Sequence, residues 1–422
     1  MTTLRSGGRA VVVLVALLAM LLPGGPVTAE TPALPALVLP APTGGYRVGT
    51  TWLHLTDAAR SDPWRPEVRR ELMVSLWYPA VPAPGRRAPY TTAAVSARII
   101  AAEGLPLPPD LLATVRTNAR RDVPIRPAAR GWPLVVLSPG FSLSRESLTG
   151  LAEDLASRGH VVAGADHPYE AWGVEFPDGR VAECLACQVQ GPDTAARVIE
   201  GRAADVSFLL DQLTGPRPVW RGARFVDPTR VGMVGHSIGG ASAAQVLRTD
   251  RRVDAGADLD GSLGVPVPAG SVTRPFLFVA SDRPTDVSWL RDWPGLAGWK
   301  RWLTVTGGGH LSFTDRPVLG AQLGMDPGAI PAHRQLLITR EYTAAFLDAH
   351  LRDRRQCLLD APSPAYPEVD FRFRTDLLRI RRRRPRLRIA EPGKPRSSAP
   401  NPGLLGDALA TNRVPNPHDA WV

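Results

Sequence analysis

Cysteine is rare in this 422-residue sequence, which contains only Cys184, Cys187 and Cys357. The first two form a Cys-x-x-Cys pair, but there is no second pair to complete the four ligands of a structural zinc site. A thioredoxin-like redox motif would need a strand-to-helix turn that this segment does not provide. We therefore expect no metal and no cofactor. In an exported chain we expect one disulfide, either local or formed with Cys357, and one leftover thiol.

Long hydrophobic runs are scarce too. The apolar stretch at residues 10–22 has thirteen residues, too few to span a bilayer as a helix. It follows Arg5 and Arg9 and precedes small residues at 27–29, so residues 1–29 are predicted to be a signal peptide. No cysteine lies near the cleavage site, which argues against a lipoprotein. The sequence predicts a secreted protein without a transmembrane segment, and an uncleaved N-terminal anchor is the alternative.

Negative charge is scarce near the C-terminus. Residues 371–422 contain 12 Lys and Arg against 4 Asp and Glu, so this segment carries most of the net charge of +10. Its basic, proline-rich composition predicts a disordered tail. Contact with an anionic surface is a candidate role for such a tail, whereas nucleic acid is not expected as a partner of an exported chain. The basic balance says little about a substrate.

Between residues 45 and 370, strand patterns alternate with helical ones. Two early strands, at 49–55 and 70–79, are predicted to pair antiparallel, and a turn-rich segment follows at 80–130 with a short helical pattern at 109–118. Later strands are predicted at 133–138, 160–166, 231–235, 255–260, 275–280 and 302–305, with helices at 145–158, 193–213 and 334–351. This alternation predicts an α/β fold with a mostly parallel central sheet and helices on both faces. Residues 30–44 form a Pro/Ala-rich spacer, for which we expect little order.

The strongest motif is Gly235-His236-Ser237-Ile238-Gly239, which follows an apolar run and precedes a segment with helical character. This is the Gly-x-Ser-x-Gly pattern of a nucleophile elbow, where a strained strand-to-helix turn exposes a serine hydroxyl. The two glycines allow close approach of the neighbouring backbone. Ser237 is predicted to be a nucleophile on an α/β-hydrolase fold. The alternative is that Ser237 only caps the following helix.

A serine nucleophile needs a general base, and on this fold the histidine comes last in chain order. Only four histidines follow Ser237: His310, His333, His350 and His418. His310 lies in a glycine-rich loop after the last predicted strand, where an imidazole can reach the elbow. The other three lie in a proline-rich loop, at a helix end and in the tail. His310 is therefore predicted to be the base.

The acid of the triad has two candidates. Asp260 follows the strand after the elbow and Asp282 follows the next strand, so both occupy loops at the same edge of a parallel sheet. Either one is predicted to be able to reach His310. Asp258 lies inside its strand and is predicted to be a buried structural carboxylate.

An oxyanion hole requires two backbone N–H groups aimed at the developing alkoxide. One is predicted to belong to Ile238, directly after the nucleophile, and the other to Phe141 in the loop after the strand at 133–138. His236 beside the nucleophile is predicted to be a packing residue. His167 is predicted to be structural, with a place in the pocket lining as the alternative.

Five segments together resemble the plasma and intracellular type II platelet-activating factor acetylhydrolases and their bacterial relatives. The resemblance covers roughly residues 45–370. The segments are Leu76-Trp77-Tyr78-Pro79, Ser138-Pro139-Gly140-Phe141, Gly235-His236-Ser237-Ile238-Gly239-Gly240, Leu259-Asp260 and His310-Leu311-Ser312-Phe313-Thr314-Asp315.

This resemblance implies that the acid is Asp260 rather than Asp282, and that the oxyanion donors are Phe141 and Ile238. The family consists of calcium-independent esterases that remove short or oxidised acyl chains from phospholipids. Many members have histidine where this chain has Pro139, and bacterial secreted lipases and polyester hydrolases also have Pro-Gly-Phe there. That difference bears on the phospholipid preference but not on the ester chemistry.

We therefore expect a secreted serine carboxylic-ester hydrolase that forms an acyl-enzyme. Its expected substrates are short-acyl phospholipids, resembling platelet-activating factor or oxidised, or other short-chain esters. The alternatives are a general lipase or cutinase-like polyester hydrolase and, from another class, an inactive hydrolase-fold protein that binds a surface. The complete set of serine, aspartate and histidine argues against the inactive protein, since a binding module needs none of the three.

Overall fold

The computed structural model describes residues 34–372 except 190 and 192. The predicted signal peptide at 1–29 and residues 373–422 of the predicted tail lie outside the described residues. The strands are β1 (Arg47–Ser61), β2 (Arg69–Ala80), β3 (Arg87–Pro89), β4 (Arg116–Arg121), β5 (Trp132–Ser138), β6 (Val161–Ala165), β7 (Val174–Glu175), β8 (Val181–Ala182), β9 (Val226–His236), β10 (Ala255–Leu259), β11 (Phe276–Ala280), β12 (Lys300–Val305) and β13 (Val369–Phe371).

The α-helices are α1 (Ala93–Ala102), α2 (Thr149–Ser157), α3 (Thr194–Thr214), α4 (Ile238–Thr249), α5 (Val287–Asp292), α6 (Arg316–Gln322) and α7 (Ala332–Leu351). Short 3-10 helices lie at Leu111–Thr114, Arg145–Leu148, Ala186–Gln188, Arg221–Phe225, Trp293–Gly295, His310–Phe313 and Cys357–Leu359. The predicted helix at 145–158 is therefore a 3-10 turn that continues into α2.

One sheet contains eleven strands in the order β13-β12-β11-β10-β9-β5-β6-β2-β1-β4-β3. The adjacent strands from β12 to β6 all run parallel to one another. Antiparallel β2 follows β6 and pairs in turn with antiparallel β1. This arrangement confirms the predicted α/β-hydrolase fold with a mostly parallel sheet, and it also confirms the antiparallel pair predicted at the start of the domain.

Helices cover both faces of the sheet, as predicted. Along β5, Leu134 and Val136 belong to the core shared with α3 and α4, while Val135 and Leu137 belong to the core shared with α2 and α7. Successive side chains of a strand point to opposite faces, so a strand that is apolar at every position is buried on both sides. All of β5 is buried, which explains its unbroken apolar run.

The segment at 80–130 has more regular structure than predicted. Neither α1 nor β4 was expected, and the helical pattern predicted at 109–118 is only the 3-10 helix Leu111–Thr114. The hydroxyl of Thr92 caps α1 by accepting a hydrogen bond from the N–H of Val95 at 3.2 Å. Such a cap satisfies an N–H that has no partner inside the helix.

The predicted spacer is packed against the domain from residue 36 to residue 44. Leu37 and Leu39 are 0% and 1% exposed. The N–H of Arg116 donates to the carbonyl of Leu37 at 2.8 Å, and the N–H of Leu39 donates to the carbonyl of Arg116 at 3.0 Å. Two leucines two residues apart face the same side of an extended segment, so a proline-rich stretch can still supply core side chains.

The sheet ends with β13 rather than with the strand predicted at 302–305. This short strand pairs antiparallel with β12. Phe371 is buried, and the N–H of Arg372 donates to the carbonyl of Trp302 at 2.8 Å. The predicted boundary between the domain and the basic tail at residue 371 was therefore too early, because Phe371 and Arg372 belong to the sheet edge.

Cys184 and Cys187 form a disulfide, with their Cα atoms 5.4 Å apart. Of the two pairings left open by the sequence, the structure has the local one. It closes a turn between β8 and α3, and Cys357 is an exposed free thiol.

A buried network of charged groups joins β2, α3 and the loop after β6. Arg70 donates to both carboxylate oxygens of Asp205, at 2.6 and 3.1 Å, and to Asp62 at 2.7 Å. His167 contacts Asp205 through Nδ1 at 2.8 Å and Ser138 Oγ through Nε2 at 3.0 Å. Burial alone would raise the pKa of Asp205, but the Arg70 charge and the hydrogen bonds hold that pKa below its usual range. The end of β5 is thus tied to α3 through His167, which has a structural role as predicted.

Replacing Asp205 with asparagine should destabilise the fold strongly, because it leaves the buried Arg70 guanidinium without its main counter-charge. We expect Asp205→Asn to lower the free energy of unfolding by about 3–5 kcal/mol, measured by urea denaturation. Asp211→Asn is the matched control on the same helix, since the Asp211 side chain is 63% exposed and pairs with Arg252. That change should cost less than about 1 kcal/mol. Equal losses for the two variants would contradict the prediction.

Candidate active site

Ser237 lies at a tight turn between β9 and α4. Its backbone has φ 55° and ψ −130°, a region that residues with a side chain rarely adopt. The N–H of Ser237 donates to the carbonyl of Leu259 at 2.8 Å, which fixes the turn against β10. A side chain at Gly235 would clash with the backbone of Gly239, and one at Gly239 would clash with the carbonyl of Ser138. The turn therefore needs both glycines of the Gly-x-Ser-x-Gly motif.

Asp260 and His310 are in direct contact. The Nδ1 atom of His310 lies 2.7 Å from Oδ2 of Asp260. The same carboxylate accepts the N–H and the hydroxyl of Ser281, both at 2.8 Å, and lies 3.2 Å from Nε of Arg283. Because Asp260 is only 1% exposed, these four contacts replace water around its charge.

Ser237 and Asp260 lie next to each other at the carboxyl edge of the sheet. Strands β9 and β10 are parallel neighbours in register, so Ser237 and Asp260 follow them side by side. A side chain at Gly261 would clash with the carbonyl of Ser237. His236 Nε2 lies 2.8 Å from the carbonyl oxygen of His310, and the two rings are 4.7 Å apart. Buried His236 therefore supports the His310 loop, which agrees with its prediction as a packing residue.

The two predicted oxyanion donors belong to backbone next to Ser237. Ile238 is the first residue of α4, and the first N–H groups of a helix have no acceptor inside that helix. Phe141 lies in the loop after β5. In that loop a Cβ on Gly140 would be 3.3 Å from Cβ of Ser237, so the loop passes directly against the elbow.

A second buried ion pair contacts this loop from α3. Arg202 of α3 donates to the carbonyl oxygen of Pro139 and pairs with Glu170 at 2.7 Å. The N–H of Ser142 donates to the carbonyl oxygen of Glu170 at 2.8 Å. The loop is therefore fixed on both sides of Phe141. Arg202 and Glu170 were not predicted from the sequence, because their relation to the loop depends on tertiary packing alone.

The other candidate carboxylates have different partners. Asp282 accepts the N–H of Gly307 at 2.8 Å and thus contacts the start of the loop that carries His310, but not His310 itself. Asp258 is fully buried and accepts the N–H of Gly261 at 2.7 Å. Burial raises the pKa of Asp258 well above its usual range, which suits a structural carboxyl group.

Ser281 and Arg283 are further residues of the site that the sequence analysis did not predict. They flank Asp282, directly after β11. Backbone that extends from a strand points alternate side chains to opposite sides, so the neighbours of Asp282 face Asp260 when Asp282 faces away. That alternation in the sequence could have indicated Ser281 and Arg283 as neighbours of Asp260.

An apolar pocket of about 310 Å³ is lined by Gly309 and Leu311, the residues on either side of His310, but not by His310, Ser237 or Asp260 themselves. Its lining includes Leu311 next to His310, together with side chains of α1 and of the segment around α6, among them Ile99, Leu107 and Leu323. This volume lies at the lower end of the ~300–1,000 Å³ range of ligand pockets. The pocket suits a short apolar group or a single ring.

Comparisons with known proteins agree with this geometry. The family model for platelet-activating factor acetylhydrolase, isoform II, matches residues 95–172. A probable 1-alkyl-2-acetylglycerophosphocholine esterase of Arthroderma benhamiae is 28% identical over 80% of this chain and 94% of its own length. The platelet-activating factor acetylhydrolase of Cavia porcellus is 23% identical over 57% of this chain, and the match covers 62% of that relative, less than two thirds of its length.

A solved structure is more similar in sequence. The ferulic acid esterase from Streptomyces cinnamoneus is 45% identical, has a TM-score of 0.73, and is matched over 80% of this chain and 100% of its own. Fold and relatives together define this chain as a carboxylic ester hydrolase of the α/β-hydrolase class. Within that class it is similar to the platelet-activating factor acetylhydrolase isoform II family, whose model matches residues 95–172.

The strained backbone at Ser237 leads to a prediction about the free energy of unfolding of two variants. Glycine adopts positive φ without the strain of about 1–3 kcal/mol that other residues carry there, although it costs about 0.5–1 kcal/mol through the entropy of the unfolded chain. We expect Ser237→Gly to be more stable than Ser237→Ala by roughly 1 kcal/mol in urea denaturation.

The matched control is Ser242, inside α4 and also buried. There the order should be reversed, with Ser242→Ala more stable than Ser242→Gly by about 1 kcal/mol, since glycine is a poor helix former. Alanine equal to or better than glycine at both positions would show that the elbow carries no strain.

Proposed function

We propose that the protein is a secreted serine esterase that works through an acyl-enzyme and cleaves short-acyl esters, including short-acyl or oxidised phospholipids. One observation carries the mechanism: the 2.7 Å contact between Asp260 and His310 beside the strained turn at Ser237. A nucleophile, a base and a group that orients the base are the three parts this chemistry requires.

In the proposed mechanism, Asp260 accepts a hydrogen bond from the Nδ1–H of His310, which fixes the tautomer and leaves Nε2 as the proton acceptor. Ser237 Oγ attacks the ester carbonyl while Nε2 takes the hydroxyl proton. The N–H groups of Ile238 and Phe141 stabilise the oxyanion. His310 then gives the proton to the leaving alcohol, and a water molecule activated by the same ring hydrolyses the acyl-enzyme.

The apolar pocket next to the His310 loop supports a short or compact acyl group. Its small volume and its leucine and isoleucine lining favour a group with no charge of its own. The relatives of this chain include a protein named as a probable 1-alkyl-2-acetylglycerophosphocholine esterase. The acyl group of that ester is acetyl. Short-acyl phospholipids are therefore the first substrate class that we propose.

Feruloyl esters are a second candidate class, favoured by the 45% identity to a ferulic acid esterase over that chain's full length. An aromatic acyl group is also compact and mostly apolar. A general lipase or polyester hydrolase is a further alternative with the same chemistry, because bacterial enzymes of those kinds also have Pro-Gly-Phe at the position of Pro139. All three share the same serine, histidine and aspartate.

Export is part of the proposal. It is supported by the sequence pattern at residues 1–29 and by the Cys184–Cys187 disulfide, because disulfides persist mainly in oxidising compartments. Within residues 34–372, apart from 190 and 192, no helix has the length and hydrophobicity needed to cross a membrane.

The first prediction for this function is that Ser237→Ala lowers hydrolysis of p-nitrophenyl butyrate at least about a thousandfold while the protein remains folded. The assay uses no added metal. It compares the same enzyme on acetyl and long-acyl phosphatidylcholines and on methyl ferulate. Preference for the acetyl phospholipid supports the first substrate class, and preference for methyl ferulate supports the second. Turnover by Ser237→Ala equal to that of the unchanged protein would rule out the nucleophile.

The second prediction separates the two candidate acids. Asp260→Asn should reduce kcat/KM on the order of 10³–10⁴-fold, because the base loses its orientation and its charge partner. Asp282→Asn is the matched control, one strand further along the sheet, and should reduce kcat/KM less than about tenfold because it contacts only the backbone of the loop. The reverse order would move the acid to Asp282.

A further inference from the structure

A second cavity, of about 530 Å³, lies between β1 and β2 on one side and the region of α1 and Arg145–Leu148 on the other. Its walls include the aromatic rings of Trp52, Trp77, Tyr90 and Phe176. The lining includes none of the three triad candidates and neither oxyanion candidate. The cavity also shares no lining residue with the apolar pocket next to the His310 loop, so it is a distinct cavity, and it is large enough for a small organic ligand.

Several charged groups of the lining already have partners. Arg145 pairs with Asp166 and also donates to the hydroxyl of Ser75. Glu153 accepts hydrogen bonds from Asn118 and from the N–H of Ala119. These groups satisfy one another within the protein and do not require a ligand.

Asp122 and Arg121 have partners too. Asp122 accepts the hydroxyl of Thr51 at 2.8 Å. Arg121 lies over the ring of Trp52, 4.2 Å from its centroid. The ion pairs of Arg121 and Arg145 are with Asp122 and Asp166, not with the other two glutamates of the lining, Glu146 and Glu175.

Three polar atoms of the lining have no hydrogen-bond partner. They are Oε1 of Glu146, Oε2 of Glu175 and Oγ1 of Thr50. Glu146 is 7% exposed and Thr50 is 1% exposed. A buried polar atom without a partner is costly, and a carboxylate oxygen costs more than a neutral one. Burial raises the pKa of Glu146, although the nearby Arg145 charge and a hydrogen bond with Ser144 act in the opposite direction.

We propose that this cavity binds an organic cation, namely a primary amine on a hydrocarbon or aromatic body. The ammonium N–H groups would donate to the carboxylates of Glu146 and Glu175. The aromatic rings would cover the hydrocarbon body and favour the positive charge through their faces. An anion is disfavoured, because the unpartnered charges are negative and both arginines of the lining are engaged.

The test uses the full chain with Ser237→Ala, so that binding is measured without turnover. Isothermal titration with 2-phenylethylamine is compared with 2-phenylethanol, which has the same ring and chain but no positive charge. We expect the amine to bind and the alcohol to bind roughly 10- to 100-fold more weakly, the range of a hydrogen bond to a charged group. No amine binding, or equal binding of the two compounds, would overturn the proposal.

Variants locate the site. Glu146→Gln and Glu175→Gln should each weaken amine binding by roughly 10-fold or more. Glu67→Gln is the control, because the side chain of Glu67 is 60% exposed, pairs with Arg65 and does not line the cavity. Loss in the control as well, or amine binding unchanged in both cavity variants, would place the amine elsewhere and reject the site.

Weaker amine binding by Glu146→Gln can be distinguished from a loss of folding. The Oε1 atom of Glu146 has no partner to lose, so Glu146→Gln should melt at no lower a temperature than the parent. If that variant fails to fold, Glu175→Gln and Thr50→Val still decide the proposal. The inference is independent of the proposed hydrolytic function, since the amine should bind whether or not Ser237 is the nucleophile.

Discussion

The Asp260 carboxylate is the group on which the candidate site depends. It follows β10 and accepts hydrogen bonds from Ser281 after β11 and from His310 after β12. One buried charge thus connects the ends of three adjacent parallel strands. The parallel register makes this arrangement possible, since it places all three strand ends at one edge. A change in sheet register would separate Asp260 from His310 without altering any side chain.

Two buried ion pairs next to the candidate site position the backbone. The pairs Arg70–Asp205 and Arg202–Glu170 are buried and lie under the end of β5 and the loop after it. Buried ion pairs are poor sources of net stability, because desolvation offsets most of the attraction. Their role here is to position the backbone. Arg202 donates to the carbonyl of Pro139 and thereby fixes the orientation of the backbone near Phe141.

The amino-acid sequence predicted what depends on local pattern. The Gly-x-Ser-x-Gly turn, the parallel core and the place of His310 after the last parallel strand could all be derived from spacing and chain order. The choice between Asp260 and Asp282 could not, because both follow strands at one edge and only tertiary packing separates them. For the same reason the partners of Asp260 and the cavity lined by Glu146 were not predicted. Helix α1 was missed although Thr92 is a good N-cap, since the surrounding prolines and glycines indicated turns.

Strand β13 determines the direction in which the chain leaves the domain. It runs antiparallel to β12, so the chain enters beside Val305, near the carboxyl edge of the parallel strands, and leaves beside Leu303. A three-residue strand carries the chain about 10 Å, at roughly 3.3 Å per residue. The last described residues, Phe371 and Arg372, therefore lie further from the carboxyl edge of the parallel strands than Val369, and the antiparallel edge strand turns the chain back along the sheet after the last parallel strand.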